Sequence, residues 1–249
     1  MRIGLATLVF LPFLPPKLLA GRQRLILMAL GAVQLGAMYI FFYQSFLLLS
    51  VPEVLLFTIF TPFYVTLLDD ALFKRFTPFY LLTAALAVLG AAVIRYDGID
   101  SGFWLGFLVV QGANLCFALG QVGYRRLAVT LPAELPRHSV FAWFYLGALA
   151  VALPAFLLLG NAAALPVTEV QWGVLAWLGL VASGLGYFLW NLGATRVDAG
   201  ALAIMNNALI PAGLAVNPLI QGSIGIINVP LIYRAARLCN CRIFDDKFT

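Results

Sequence analysis

The sequence predicts an all-α integral membrane protein, a helical bundle built from an inverted repeat, on the strength of composition, spacing and self-similarity. Hydrophobic residues make up 63% of the 249 positions and charged residues only 10%, and the mean hydropathy is +0.99. Soluble domains average about 45–50% apolar and 25% charged residues, so this chain lacks the polar residues that would cover a water-facing surface. Its solvent is therefore lipid.

Apolar stretches long enough to cross a hydrocarbon core of about 30 Å recur at short intervals. They show no alternation of period two, and every backbone group inside lipid must be paired within its own segment, so helices are favoured over strands. We predict eight transmembrane helices, at residues 3–20, 25–49, 51–68, 78–94, 102–123, 140–160, 172–193 and 199–220.

Basic residues follow the first, third, fifth and seventh of these spans. Nine lie on that side, whereas the opposite side has only Arg95, or two if Arg2 is counted there. The positive-inside rule then places the basic loops in the cytoplasm of a multi-pass protein of the bacterial inner membrane. It also places Arg2 outside, which is unusual. Because the basic residues lie in short loops, the net charge of +5 indicates topology and not a nucleic-acid surface.

A weak internal repeat relates residues 42–62 to residues 191–211. Each stretch contains the end of a span, a short polar connection and a helix with proline about twelve residues in. The two prolines, Pro62 and Pro211, are 211 − 62 = 149 positions apart. In the predicted topology the two stretches run in opposite directions, as in the inverted repeats of many secondary transporters. We expect a transmembrane region over 1–220, with halves of about 1–97 and 101–220.

The same repeat predicts that both ends of the bundle are incomplete. The fifth span would have its partner before Met1, and the fourth span would have its partner near residues 227–243. That segment holds Arg234, Arg237 and Arg242, and a charge at a helix centre costs about 2.5–3.5 kcal/mol on insertion scales. Residues 221–249 therefore read as an atypical polar and basic tail, either the product of a frame error or rearrangement or a genuine short extension.

Five helices per half, inverted, with short loops and prolines in the fourth helix of each half, resemble the drug/metabolite transporter superfamily of the EamA type. The stretches that carry this resemblance are 42–70 and 190–211. It implies a carrier of ten helices, of which eight are visible here. The resemblance further implies a central cavity through which amino acids, vitamins or other small metabolites move. The absent first helix would normally help to line that cavity.

Polar side chains inside membrane helices are candidates for function because they are costly there. Gln111, Asn114 and Gln121 form a stripe on the fifth span that lines a cavity or bonds a neighbouring helix. Ser183, Tyr187, Trp190 and Asn191 share one face of the seventh span, although Trp190 and Asn191 would equally serve as interfacial anchors. The substrate-binding candidates are Gln34, Tyr43, Gln111, Asn114, Tyr187, Asn191, Asn206 and Asn207.

Glu53 is the candidate for ion coupling, but Ser50 and Glu53 also fit a capping box at the start of the third span, and we favour that structural reading. Thr58 and Thr61 are expected to bond carbonyl groups near Pro62. No catalytic motif is present, and three cysteines with a single histidine, His138, provide no metal site.

The sequence therefore predicts no enzyme and no cofactor. We expect a secondary transporter of small organic metabolites that works by alternating access, with lipid and a small solute as partners, no nucleic acid, and a homodimer left open. The alternative is a non-transporting membrane fragment or assembly partner.

Overall fold

The computed structural model describes residues 1–14, 19–73, 101–132, 135–160 and 165–197, together with positions 78, 82, 202, 205 and 206. Within these residues the chain forms helices and turns and no strand. Five helices are long and apolar enough to cross a membrane: Gly21–Leu48, Glu53–Leu72, Phe103–Ala128, Arg137–Leu158 and Glu169–Ala194. They confirm five of the eight predicted spans. The predicted spans at 78–94 and 199–220 and the tail at 221–249 lie outside the described residues, apart from a few isolated positions.

We number six helices in chain order. Two of them, α2 and α6, contain a π-helical segment, and α3 contains a short 3₁₀ turn. Their bounds are α1, Arg2–Phe10; α2, Gly21–Gly31 with the π segment Ala32–Ala37 and Met38–Leu48; α3, Val51–Phe57 with the 3₁₀ turn Thr58–Phe60 and Thr61–Phe73; α4, Ser101–Ala128; α5, Arg137–Leu159; and α6, Glu169–Ala176 with the π segment Trp177–Gly186 and Tyr187–Ala194.

The first span is shorter than the sequence predicts. Helix α1 is continued by a 3₁₀ turn, Leu11–Phe13, and Leu14 is extended at φ −64° and ψ 115°. Leu14 precedes Pro15, and the residue before a proline is sterically displaced from the helical region. The prediction of a continuous helix to Ala20 is therefore wrong in its end point.

The chain divides into two compact units. Unit 1 consists of Met1–Ile40, Cys116–Leu158 and Leu165–Asp198, and the described part of unit 2 is 41–73 and 101–115 together with a few isolated positions. The boundary between the units falls inside α2 and α4. The predicted division into sequential halves remains a prediction.

Aromatic side chains form the interior of unit 1. Phe141 stacks on Phe144 at 4.9 Å between ring centroids and meets the edge of Phe188 at 5.3 Å, and Phe10 lies 4.8 Å from Tyr145. Between α2 and α5, Gly31 lies against the backbone of Phe144 and Gly147 against the backbone of Met28. Small residues at these two points let the helix backbones approach closely, which is how helices associate in lipid.

Unit 2 has its own smaller core. Leu49, Val54, Phe57 and Val110 are buried together, and Phe107 meets the edge of Phe57 at 5.0 Å between centroids. At the start of α3, Oε2 of Glu53 accepts hydrogen bonds from the Ser50 backbone N–H and hydroxyl, both at 2.6 Å. The capping box predicted from Ser50 and Glu53 is therefore present.

Candidate functional site

Unit 1 contains a group of polar side chains around the half-buried Arg2. We call it the arginine cluster: Arg2 and the buried residues Tyr39, Tyr145 and Ser183. Arg2 Nε donates to Ser183 Oγ at 2.8 Å, and Arg2 Nη2 donates to the Tyr39 hydroxyl at 2.8 Å. The Tyr39 and Ser183 oxygens are themselves 3.2 Å apart. The three side chains close a triangle of hydrogen bonds that joins α1, α2 and α6.

The π segment of α6 shapes this cluster. Winding from i to i+5 displaces backbone carbonyl groups from their usual partners. The Tyr145 hydroxyl lies 2.8 Å from the Ser183 carbonyl oxygen and 2.6 Å from that of Gly184, so its single proton is shared between the two acceptors. A Cβ atom at Gly179 would lie 2.7 Å from Leu5 Cβ. Glycine there allows α1 to approach α6 closely enough for Arg2 to reach Ser183.

A second polar group, the amide pair Gln34 and Asn191, lies in the same unit. Gln34 Nε2 donates to Asn191 Oδ1 at 3.2 Å, and Asn191 Nδ2 donates to the Tyr187 carbonyl at 3.0 Å. Both side chains are fully buried. Gln34 Oε1 has no hydrogen-bond partner among the described residues, although a buried acceptor normally has one. Gly120 of α4 lies directly against Gln34 and provides the room for this side chain.

Tyr187 stands between the arginine cluster and the amide pair. It follows Ser183 by four residues and precedes Asn191 by four. Its ring centroid is 6.3 Å from that of Tyr39 and 6.1 Å from that of Phe117. Unit 1 therefore holds a half-buried cation with hydroxyl groups, then aromatic rings, then an amide whose acceptor oxygen has no partner among the residues that the structure describes. Such an arrangement suits an amphipathic organic solute with polar groups at both ends.

Unit 2 contains a separate polar contact between α3 and α4. Asn114 Nδ2 donates to the Phe57 carbonyl at 2.9 Å and to Gln111 Oε1 at 3.2 Å, and Thr61 Oγ1 donates to Asn114 Oδ1 at 3.2 Å. These bonds fit the interhelical alternative for Asn114. Thr58 donates to the Leu55 carbonyl at 2.6 Å, as expected from the sequence, whereas Thr61 bonds Asn114.

The remaining predicted site residues are placed as follows. Tyr43 is 40% exposed in unit 2, Asn206 is half-buried, and Gln121 is fully buried in unit 1. Glu53 is engaged in the capping box. Asn207 lies outside the described residues. Among the residues that the structure describes, no group of three or more His, Cys, Asp or Glu side chains could hold a metal ion.

Sequence reasoning found the Gln34, Tyr187 and Asn191 positions but missed Arg2, Tyr39 and Tyr145. Arg2 was counted as a flanking residue because it precedes an apolar run. Tyr39 was missed because it follows Gln34 by five residues. At 100° per residue, this spacing would place Tyr39 about 140° around an α-helix from Gln34. The π segment Ala32–Ala37 changes that register. No feature of the sequence signals the π segment in advance.

Comparison with known proteins adds the family. Biotin transporters of Escherichia coli (strain K12) and Salmonella typhimurium are each 53% identical to this chain over 218 residues, which cover 87% of this chain and 72% of theirs. A probable biotin transporter of Pseudomonas aeruginosa is 53% identical over 224 residues, covering 88% of this chain and 77% of its own length. No protein-family model matches the chain.

A solved crystal structure of a protein with 18% sequence identity superposes with a TM-score of 0.60, over 96% of this chain and 95% of its own. This likeness concerns the fold alone. The five apolar helices, together with the similarity to transporters, define the class of the chain as a helical, multi-pass membrane protein. The 53% identity goes further: the chain belongs to the same family of membrane transporters as the relatives named above, and it is not an enzyme.

Proposed function

We propose that this chain transports biotin across the bacterial inner membrane as a secondary carrier. The observation that carries the proposal is the 53% identity to biotin transporters over 218 residues. The match covers 87% of this chain. Membership of the drug/metabolite transporter superfamily, which the sequence resembles, is part of the same proposal.

The chemistry of unit 1 supports biotin as the solute. Biotin has a carboxylate at one end, a cyclic urea at the other and an apolar body between them. A guanidinium group suits the carboxylate, aromatic rings suit the apolar body, and Gln34 Oε1 is a suitable acceptor for a urea N–H.

Alternating access is supported by the pattern of the sequence. The repeat that relates residues 42–62 to residues 191–211 suits two inverted halves that rock about a site near the midplane. The sequence has no Walker A lysine loop, so an ion or solute gradient is the expected source of energy.

Uptake of radiolabelled biotin tests the proposed function. The chain is expressed in a bacterium that cannot synthesise biotin and whose own biotin transporter gene is deleted, with the empty vector as control. We expect labelled biotin to accumulate and the cells to grow on traces of external biotin. Collapse of the membrane gradients with an ionophore should stop accumulation. If the chain reaches the membrane and uptake stays at the empty-vector level, the non-transporting alternative is the better account.

A further inference from the structure

We propose that one end of unit 1 binds the headgroup phosphate of an anionic membrane phospholipid, through Arg24 of α2 and Arg137 of α5. This site is distinct from the arginine cluster and the amide pair, and it does not depend on which solute the chain transports. It rests on where the two arginines lie, on which acidic side chains the described part of unit 1 contains, and on the unpaired donors beside the arginines.

Both arginines lie where membrane spans begin. Arg24 is in the first turn of α2 and Arg137 is the first residue of α5, and both are half-buried. The end of α4 is close to the start of α2, because Gln23 Nε2 lies 3.5 Å from the Thr130 carbonyl oxygen. The two guanidinium groups are therefore at the level of the lipid headgroups, on the side that the positive-inside rule predicts to face the cytoplasm.

Positive charge at these helix starts is unfavourable without an anion. Both α2 and α5 begin with basic residues, and neither has an acidic residue in its first turn. The amino end of a helix carries a partial positive charge, which repels a cation and attracts an anion. Two basic helix starts at one end of unit 1 therefore favour a bound anion there.

The described part of unit 1 provides no carboxylate at this end. Its sole acidic side chain is Glu169, which begins α6. The opposite end of α6 is the one that approaches the site, since Arg125 Nη2 in the last turn of α4 donates to the Val197 carbonyl at 2.9 Å. Glu169 is therefore a full transmembrane span away from Arg24 and Arg137.

Hydrogen-bond donors at this end also lack partners. Arg24 Nε, Arg137 Nη1 and the Tyr124 hydroxyl are buried atoms that bond none of the residues that the structure describes. The Tyr124 side chain is fully buried, and its ring meets the edge of Phe141, one turn after Arg137, at 5.0 Å between centroids. The Arg137 charge lies within electrostatic range of the Tyr124 hydroxyl. Because buried donors are normally paired, these atoms indicate an acceptor that binds beside them, and phosphate oxygens are strong acceptors for arginine.

The surroundings favour a lipid phosphate over a dissolved one. The Arg24 guanidinium carbon lies 5.5 Å from the centroid of the Trp143 ring, and tryptophan is typical of the membrane–water interface. Leu25 and Val129, next to the site along the chain, are 69% and 86% exposed and offer apolar surface for acyl chains. Basic groups between helices on the cytoplasmic side are a setting in which anionic headgroups bind.

The experiment measures binding of phosphatidylglycerol and of phosphatidylcholine to the purified chain in detergent by native mass spectrometry. Both lipids contain phosphate, but only phosphatidylglycerol has a net negative charge. The variants are Arg24→Gln, Arg137→Gln and Tyr124→Phe, and the control is Arg22→Gln. Arg22 is an exposed arginine in the same turn of α2 as Arg24, so its variant also removes one positive charge. A separate series adds inorganic phosphate as a competitor.

We expect the unchanged chain and Arg22→Gln to bind phosphatidylglycerol about ten-fold more tightly than phosphatidylcholine. Arg24→Gln and Arg137→Gln should each weaken binding of phosphatidylglycerol about five-fold, the effect of one arginine beside an anionic lipid, and leave binding of phosphatidylcholine unchanged. Tyr124→Phe keeps the aromatic ring and should weaken binding of phosphatidylglycerol about ten-fold through the lost hydrogen bond to a charged group. It carries the test if the arginine variants do not fold. Inorganic phosphate should not displace the lipid.

Four results would overturn the proposal. Equal binding of the two lipids by the unchanged chain would show that no site for an anionic headgroup exists. The same is true of an unchanged affinity for phosphatidylglycerol in Arg24→Gln and Arg137→Gln, or in Tyr124→Phe where it carries the test. An equal loss in Arg22→Gln would assign the preference to net charge, and displacement of the lipid by inorganic phosphate would assign the site to a dissolved anion. Because none of these measurements involves uptake, failure here is separate from failure of the proposed function.

Discussion

The polar side chains inside these apolar helices differ in how many of their donor and acceptor atoms have hydrogen-bond partners. Asn114 bonds the Phe57 carbonyl, Gln111 and Thr61, so its donors and its acceptor are used by unit 2 itself. Gln34 uses one donor on Asn191, while its acceptor oxygen has no partner among the described residues. An unpaired buried acceptor costs free energy in the empty protein. That cost makes Gln34 the stronger of the two candidates for contact with a solute.

Glu53 provides a prediction at the scale of one residue. Because its carboxylate accepts from Ser50 in the capping box, Glu53→Gln should keep uptake and its dependence on the proton gradient, since glutamine also closes a capping box. Glu53→Ala should lose the cap and about 1 kcal/mol of stability. Thermal unfolding of the purified protein in detergent, together with uptake at several pH values, measures both effects.

Glu169→Gln is the matched control, because Glu169 is exposed in the first turn of α6 while Thr168 and Gln171 form the cap there. The interpretation of Glu53 as a capping residue would be wrong if Glu53→Gln reached the membrane in normal amount but lost gradient-driven uptake. In that case Glu53 would regain the coupling role that the sequence also allows.

At the scale of helices, close approach between backbones holds unit 1 together. Gly147 of α5 faces the Met28 carbonyl of α2 and Gly31 faces the Phe144 carbonyl, so the same two helices meet through glycine on both sides. We expect Gly147→Ala to push the helices apart and to cost about 1–3 kcal/mol, the usual range for overpacking. The measurement is the melting temperature of the purified protein in detergent.

Gly173→Ala provides the matched control for that substitution. Gly173 also lies in a helix of unit 1, but a Cβ atom there would meet nothing within 4 Å. Alanine in a helix without a clash is favoured over glycine by roughly 0.5–1 kcal/mol. The melting temperature of Gly173→Ala should therefore stay the same or rise slightly. Equal melting temperatures for the two variants would contradict the close contact between α2 and α5.

The π segments of α2 and α6 are a second feature at the scale of helices. Gln34 lies in Ala32–Ala37 and Ser183 in Trp177–Gly186, so each π segment carries one polar residue of the candidate site. Single-turn π bulges are frequent at functional sites because they re-aim side chains and free carbonyl groups. Here the Tyr145 hydroxyl bonds the Ser183 and Gly184 carbonyl oxygens, and the Gly184 oxygen also accepts from the Tyr187 backbone N–H.

At the scale of the whole molecule, the topology is a prediction that a pair of fusions can test. The loop that follows Arg125 and Arg126 is expected in the cytoplasm, and the loop near Leu165 on the opposite side. A green fluorescent protein fused after residue 131 should fluoresce, and alkaline phosphatase fused after residue 165 should be active. Exchange of the two reporters serves as the control. The reverse pattern would show that the basic loops face outward.

Family membership also belongs to this scale. The relatives are matched over 72% to 77% of their own length and over 87% to 88% of this chain. The transporter class is therefore a property of the whole matched region, whereas recognition of the solute concerns a few side chains within unit 1. Loss of transport in a variant must for this reason be compared with its level in the membrane before a residue is assigned a role.

The sequence by itself determined the helical membrane class and five of the long spans, and it named Gln34 and Asn191 as candidates without predicting their contact. It did so because hydrophobic length and the need to pair every backbone group in lipid act locally along the chain. It also identified the Ser50 and Glu53 cap, whose two residues are only three positions apart. Local rules suffice where the interacting groups are close in sequence.

Only the tertiary structure brought Arg2 to Ser183, across 181 positions, and to Tyr39, across 37. Neither contact follows from the period of an α-helix. The first depends on how closely α1 approaches α6 at Gly179, and the second on a π segment in α2. The sequence analysis placed Arg2 outside the membrane because the positive-inside rule puts the nine basic residues of the other side in the cytoplasm. The packing of unit 1 adds the partners of Arg2, two hydroxyl oxygens and an aromatic face, which are a setting that tolerates a guanidinium group beside apolar helices.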